Sequence, residues 1–243
     1  MVPELNGRAD MHMHTTVSDG RATVVDMLDY AARYRTLDVL AITDHDRLEA
    51  SLWAFSQQGR YPFDIVPGVE VTTREGHVLA LWVTEPIPRG LSLAETAAAI
   101  HEQGGIAVLA HPAELFIAPR GVIRTMHQPR SLLDCGIDAI EAFNAGAITP
   151  FGNLAARLRL AGLPLPMMGN SDAHMPLSIG TGVTWFHGRT AAALRHSIGQ
   201  GWTRAEGHRW RITVYLKLCT PSLPKKPSNF SRPKAGSHPQ TLP

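Results

Sequence analysis

Short apolar runs alternate with helix-period patterns along most of the chain. Residues 9–13, 38–42, 64–71, 77–83, 106–110, 137–143, 165–169 and 182–186 have the length and apolar density of strands buried on both faces. Between them, residues 22–34, 48–57, 93–103, 151–161 and 190–199 carry the three-to-four-residue spacing of amphipathic helices. In the first of these, Val25, Leu28, Ala31 and Ala32 form the predicted buried face. Gly104-Gly105 stops the helix at 93–103, and Arg74-Glu75-Gly76 marks a polar turn between two strands. The run 182–186 and the pattern 190–199 read as the last strand and helix. Repeated strand-then-helix units predict an α/β fold with a parallel sheet, open or closed into a barrel.

Two stretches break this rhythm. In residues 114–133, Pro119, Gly121 and Pro129 interrupt any helical period, so a loop with a helix of undefined bounds is expected there. From Pro221 onward the pattern gives way to proline, lysine and serine, with too little apolar surface to order itself. The expected organisation is a folded domain over 1–210 and a basic, proline-rich, disordered tail over 217–243.

Composition adds limits rather than a function. A chain of 243 residues, 44% hydrophobic and 18% charged, suits one soluble domain. It has neither an eighteen-residue apolar run nor a charged n-region, so no membrane span and no secretory signal are expected. Its two cysteines, Cys135 and Cys219, lie far apart, which fits a reducing, cytoplasmic compartment. The pI of about 8.7 misleads. Lys217, Lys225, Lys226, Arg232 and Lys234 sit in the tail without an acid, and without them the net +2 becomes −3. Overall basicity is therefore no argument for nucleic-acid binding.

The twelve histidines matter for their positions. In Asp10-Met11-His12-Met13-His14, residues two apart on a strand project to one side, so His12 and His14 can share a cation. Asp19 follows on a turn allowed by Gly20. Further groups stand at the ends of apolar runs: His45 in Thr43-Asp44-His45-Asp46, Glu70 after 65–69, His111 after 106–110, and Asp172-Ala173-His174 after 165–169. Strand C-terminal ends in parallel α/β folds face a single site. A recurring His and carboxylate placement of this kind is a metal constellation. Imidazole with carboxylate, and no cysteine in the motifs, suits Mn, Zn or Fe.

The set DMHMHTTVSDG, ITDHD, PGVEVT, LAHP, IEAFNA and NSDAH resembles the PHP superfamily, named for polymerase and histidinol phosphatase. The resemblance covers about residues 10–186. It implies a distorted (β/α)7 barrel with two or three divalent ions at the strand C-terminal ends, and phosphoester hydrolysis. It assigns His12, His14, Asp19, His45, Glu70, His111, Asp172 and His174 to ligand positions, with Glu70 bridging two ions. Glu141 stands where relatives often carry one more ligand, and it either ligates or orients a ligand from behind. His77 stands where relatives often carry a histidine near the substrate. Catalytic work falls to Glu70, Asp172 and His174.

A water shared by two cations has its pKa lowered toward neutrality and becomes a hydroxide nucleophile, while the ions clamp the phosphoryl oxygens. His174 or His77 could protonate the leaving group. The expected substrate is a phosphorylated small molecule or a nucleotide. The alternatives are an exonuclease trimming short oligonucleotides, a non-catalytic scaffold, and a hydrolase of C–N or C–O bonds. His101, His127, His187, His196, His208 and His238 match no ligand motif, and Arg120 and Arg130 read as surface residues. Trp202 and Trp210 are expected to pack rather than to stack on a base. Residues 114–133 and 151–153 are the expected specificity loops.

Overall fold

The computed structural model describes residues 3–115 and 127–220. Arg120 and His238, and the expected tail from 221 on, lie outside the described residues. Nine strands occur among the described residues: β1 (Gly7–Asp10), β2 (Val39–Ile42), β3 (Asp64–Thr72), β4 (His77–Leu81), β5 (Ile106–Leu109), β6 (Ala139–Asn144), β7 (Met167–Asn170), β8 (Gly182–Phe186) and β9 (Thr203–Gly207). They form one sheet in the order β7-β6-β5-β4-β3-β2-β1-β8-β9. The helices are α1 (Val24–Tyr34), α2 (Glu49–Ser56), α3 (Leu93–Glu102), α4 (Ser131–Asp134), α5 (Gly152–Leu160), α6 (Ala191–Gln200) and α7 (Ile212–Cys219).

The pairs β1–β2, β2–β3, β5–β6 and β6–β7 are parallel, as the strand–helix alternation predicts. The pairs β3–β4, β4–β5, β1–β8 and β8–β9 are antiparallel, so the sheet is mixed rather than wholly parallel. A connection as short as residues 73–76 can only make a hairpin, and it reverses β4. This reversal serves the site. Seven strands (β1–β3, β5–β7 and β9) end on one side of the sheet, and the reversed β4 and β8 begin there, β4 with His77 as its first residue.

The sheet is a nearly closed barrel. Past its last ladder residue, the chain after β1 meets the chain after β7: His14 N donates to Ala173 O at 2.9 Å, and Ala173 N to His12 O at 3.2 Å. Lower down, β8 takes the edge of β1, and the Thr184 hydroxyl bridges to β7. It accepts from Gly169 N at 3.0 Å and donates to Gly169 O at 2.9 Å. A Cβ on Gly169 would stand 2.7 Å from Val183 O, so only glycine lets the strands approach this closely.

Helices cover the sheet outside. Strands β1–β3 pack under α1 and α2, with Met27, Leu28, Leu40, Ile42 and Ile65 buried together. Strands β3–β6 pack under α3, α4 and α5. Leu194 and Ile198 of α6 pack on Trp82, Ile106 and Phe186. Full burial of each such side chain contributes about 1.5–3 kcal/mol.

Three expectations need correction. The buried face of α1 is Val24, Met27, Leu28 and Ala31, whereas Val25 is 40% exposed. The Thr23–Asp26 capping box starts the helix at Val24 and fixes which face turns inward. Second, α6 is not the last element, because β9 and α7 follow it. Strand β9 (TRAEG) is largely exposed and held by backbone pairing to β8, so it carries no apolar alternation. Third, Lys217 to Cys219, expected in the tail, close α7. Among the described residues no helix is long and apolar enough to cross a membrane.

Thr184→Val keeps the side-chain shape and removes both seam hydrogen bonds. Chemical denaturation should show a loss of about 1–3 kcal/mol, the usual effect of leaving buried polar groups unpaired. An unchanged denaturation midpoint would mean that the seam closes without that hydroxyl.

Candidate metal centre

The chain beyond β1 stays extended, so alternation carries His12 and His14 inward, both fully buried. The β2–β3 ladder breaks after Ile42 and resumes as one parallel bridge between His45 and Glu70. His77 faces Thr72 in the β3–β4 register, which makes Glu70 its diagonal neighbour. His111 (φ 25°) and Asp172 (φ 52°) follow the ends of β5 and β7 in the left-handed region. Such backbone costs about 1–3 kcal/mol per residue and clusters at functional sites.

Glu70 is the hub. Its Oε2 lies 3.1 Å from His12 Nε2, 3.2 Å from His14 Nε2 and 3.1 Å from His45 Nδ1. Its Oε1 lies 2.9 Å from both His77 Nδ1 and His111 Nε2. Asp172 Oδ1 stands 3.4 Å from His12 Nε2 and 3.1 Å from His14 Nε2. On the open side, His174 Nε2 is 3.1 Å from Asp19 Oδ2, and His45 Nε2 is 3.8 Å from the same oxygen. The side chain of Asp19 is 55% exposed and that of Glu70 only 1%, so the cluster opens toward Asp19.

Several of these atoms are buried and close without being hydrogen bonded. His12 Nε2, both His14 nitrogens, His45 Nδ1, Glu70 Oε2 and Asp172 Oδ1 have no hydrogen-bond partner. Buried polar atoms are normally paired, and leaving one unpaired costs about 1–3 kcal/mol. Ligands roughly 2.0–2.2 Å from a shared ion stand about 3–3.5 Å from one another, the spacing found here. The donor set therefore fits divalent cations. His14, Asp19, His45 and His174 converge as one group, His12, His14 and Glu70 as another, His45, Glu70 and His77 as a third, and His12, His111 and Glu141 as a fourth.

The electrostatics agree. Burial disfavours charge on Glu70, yet His12 and His45 hold its carboxyl well below the usual range. Asp172 and Asp19 are lowered in the same way, against burial, by His12 and His14 and by His174 respectively. Burial would also lower His12 and His14, but the facing carboxylates win. His12 is raised well above its ordinary value and His14 to about 10. For His45 burial wins, and its value falls. The pocket is thus a set of ionised carboxylates in which His12 and His14 hold protons that a cation would replace.

A surrounding layer fixes the cluster. Glu141 accepts from His111 N (2.8 Å), Asn144 Nδ2 (2.9 Å) and Asn170 Nδ2 (2.8 Å), and its Oε1 meets His12 Nδ1 at 2.9 Å. Asp44 gathers Thr15 N, Thr15 Oγ1, Ser18 N and Ser18 Oγ, which shapes the loop before Asp19. Asp10 accepts from Ser171 N and Gly180 N, and burial pushes its carboxyl up to about 6. Trp210 donates Nε1 to Ser171 O at 2.8 Å and meets the His174 ring edge-on at 5.8 Å.

All ten residues expected from sequence meet here: His12, His14, Asp19, His45, Glu70, His77, His111, Glu141, Asp172 and His174. Asp10, Asp44, Asn144, Asn170 and Trp210 were missed as parts of the site. The polar residues closing β6 and β7 were a readable signal, whereas Trp210 lies in no periodic context. His101 pairs with Asp138 at 2.8 Å, away from the cluster. Trp202 meets the His196 ring edge-on, and Arg130 is exposed.

A family profile described as PHP-associated matches residues 151–204. An uncharacterized protein, MJ1587, of Methanocaldococcus jannaschii is 30% identical over 148 residues, which cover 57% of this chain and 82% of that protein. The chain belongs to the PHP superfamily of metal-dependent phosphoesterases. Among other matches, the 5'-3' exoribonuclease Rnm of Salmonella typhimurium is 30% identical over 154 residues, 55% of this chain and 50% of that protein. A two-domain Bacteroides vulgatus protein containing a predicted PHP-like metal-dependent phosphoesterase superposes with a TM-score of 0.65. It is 21% identical, over 86% of this chain and 68% of that one.

For a PHP cluster of this kind, cation binding should stabilise the fold measurably. Manganese or zinc at a hundredfold excess over its dissociation constant should add about 2.7 kcal/mol, read as a higher unfolding temperature that a chelator reverses. Identical unfolding curves with metal and with chelator would count against a cation site.

Proposed function

We propose that the chain hydrolyses phosphoester bonds of nucleotides or short oligonucleotides, using two or three divalent ions held at the strand ends. The observation carrying this reading is Glu70, whose two oxygens face five imidazoles while neighbouring buried atoms lack hydrogen-bond partners. His12, His14, Glu70 and Asp172 would hold one ion. Asp19, His45 and His174 would hold another, and His77 with His45 and Glu70 a third, with His111 against the same Glu70 oxygen as His77. When bound, such ions supply an activated water and a clamp on the phosphoryl oxygens. Manganese, zinc and iron all suit this donor set.

The chain's own residues set the geometry. Glu70 and Asp172 stay ionised and pull the imidazoles into register. Substrate enters past Asp19 and His174, the open side, and the Nδ1 of His174 is held by the Asp172 carbonyl at 2.8 Å, which leaves Nε2 facing Asp19. His77, buried beside Glu70, joins the ligands rather than waiting for substrate. Glu141 orients His12: four hydrogen bonds occupy its carboxylate, and its bond to Nδ1 turns Nε2 toward Glu70.

The nucleotide preference rests on the likeness to an exoribonuclease. A scaffold role is disfavoured because the full ligand set is present and convergent. A phosphatase of small molecules remains the second reading, favoured by the net charge of −3 outside 217–243.

The test is metal content together with turnover of bis(4-nitrophenyl) phosphate and a short oligonucleotide in added manganese or zinc. Glu70→Gln should lower metal content and cut turnover by on the order of 10²–10³-fold. Glu141→Gln should keep the number of bound ions and weaken affinity or turnover by about 10–100-fold. A wild-type protein that binds no metal, or turns over no phosphoester, would end this reading. One fewer ion in Glu141→Gln would make Glu141 a ligand.

A further inference from the structure

Outside the metal cluster, a cavity of about 490 Å³ lies between the end of α1, the turn after Met175 and the start of α7. Its size suits a small molecule or part of one. Arg35, His208 and Arg211 line it, together with Tyr30, Trp210 and Thr213, and none of its lining residues is acidic. That is unexpected in a chain whose net charge outside 217–243 is −3.

The charges in this cavity are not neutralised. Arg35 donates to the carbonyls of Ile179, Tyr34 and Leu177 and to the Tyr30 hydroxyl, and its guanidinium lies 4.9 Å over the Tyr30 ring. All of these acceptors are uncharged. They fix the guanidinium in place and leave its positive charge uncancelled. His208 Nδ1 meets the carbonyl of Arg209 at 3.2 Å. Among the described residues no carboxylate pairs with Arg35, His208 or Arg211. A fixed guanidinium with no carboxylate beside it, and a second, exposed one at Arg211 within the same cavity, are the usual recognition chemistry for phosphate.

The cavity also adjoins the metal centre. Trp210 forms part of its wall, and the same ring stands 5.8 Å from the His174 ring. The indole is clamped. Its Nε1 is bonded to Ser171 O, and a Cβ on Gly146 would come within 2.8 Å of its ring. A group seated in the cavity is therefore one fixed indole away from the proposed ligands.

We infer that this cavity is a phosphate-binding subsite. It takes either a second phosphate of the substrate whose scissile phosphate lies at the metals, or free inorganic phosphate. The first source rests on the proposed phosphoesterase reading, and the second does not need it.

The test titrates the metal-loaded full chain with inorganic phosphate by calorimetry, and measures KM for a 5'-phosphorylated trinucleotide. Wild type and Arg211→Glu are compared, with Arg211→Lys as the conservative control and circular dichroism to verify folding. Loss of one phosphate site in Arg211→Glu, restored in Arg211→Lys, is the expected result. A roughly tenfold rise in trinucleotide KM alongside that loss assigns the cavity to the substrate's own phosphate. Loss of the site with KM unchanged assigns it to free phosphate. Unchanged phosphate uptake in Arg211→Glu overturns the subsite, whatever happens to KM. If no phosphoester is hydrolysed at all, the phosphate titration still decides.

Discussion

A carboxylate buried among imidazoles is the constraint around which this molecule is arranged. Glu70 is 1% exposed at its side chain and has five histidine nitrogens within 3.2 Å. An ionised carboxylate in such a place is strongly unfavourable unless compensated, and removing one partner of a buried charge pair costs about 3–5 kcal/mol. The compensation here comes from many elements at once. No single helix or hairpin could bring so many imidazoles to one carboxylate. A nearly closed barrel can, because its parallel strands end together and its reversed strands, β4 among them, begin there.

The loops beyond the strands are held by a second rank of carboxylates. Asp44 ties down the segment leading to Asp19, Asp10 the segment around Ser171 and Gly180, and Glu141 the nitrogen of His12 that faces away from the centre. Asp10 and Glu141 accept mainly from backbone or amide N–H groups, and Asp44 from backbone N–H and hydroxyl donors, so each fixes local geometry. The same residue type therefore does two jobs, separated by partner. Carboxylates whose oxygens are filled by such donors position the cluster, while Glu70 and Asp172 face imidazole nitrogens that have no hydrogen-bond partner.

Much of this was legible in the sequence because two periodicities are stiff. The period of two on a strand placed His12 and His14 together, and the rule that strand ends share a side gathered Glu70, His111 and Asp172. Other features depend on distant contacts. The burial of Val24 rather than Val25 follows from where a capping box starts α1. The role of Glu141 depends on Asn144 and Asn170, whose amides reach it from the ends of β6 and β7. Strand β9 is a polar edge without alternation, and α7 is rich in β-branched residues, which favour helices only weakly. Neither could be read locally, and both exist because the barrel offers them a surface.

That last point bears on specificity. Trp210 N donates to Ala145 O, and Val214 packs with it against Ala145 and Met175. At the other end of α7, Arg21 donates to the carbonyls of Leu218 and Thr220, while Arg21 N donates to His174 O. The helix thus spans from the loop after β6 to the loop after Asp19, tied to the backbone of residues that flank the cluster on both sides. A segment anchored this way cannot shift without moving the open side of the site. The His and carboxylate cluster stands at the strand ends, whereas α7 is held on segments that flank it. Two chains with identical ligands and different segments here would present the same chemistry to different substrates.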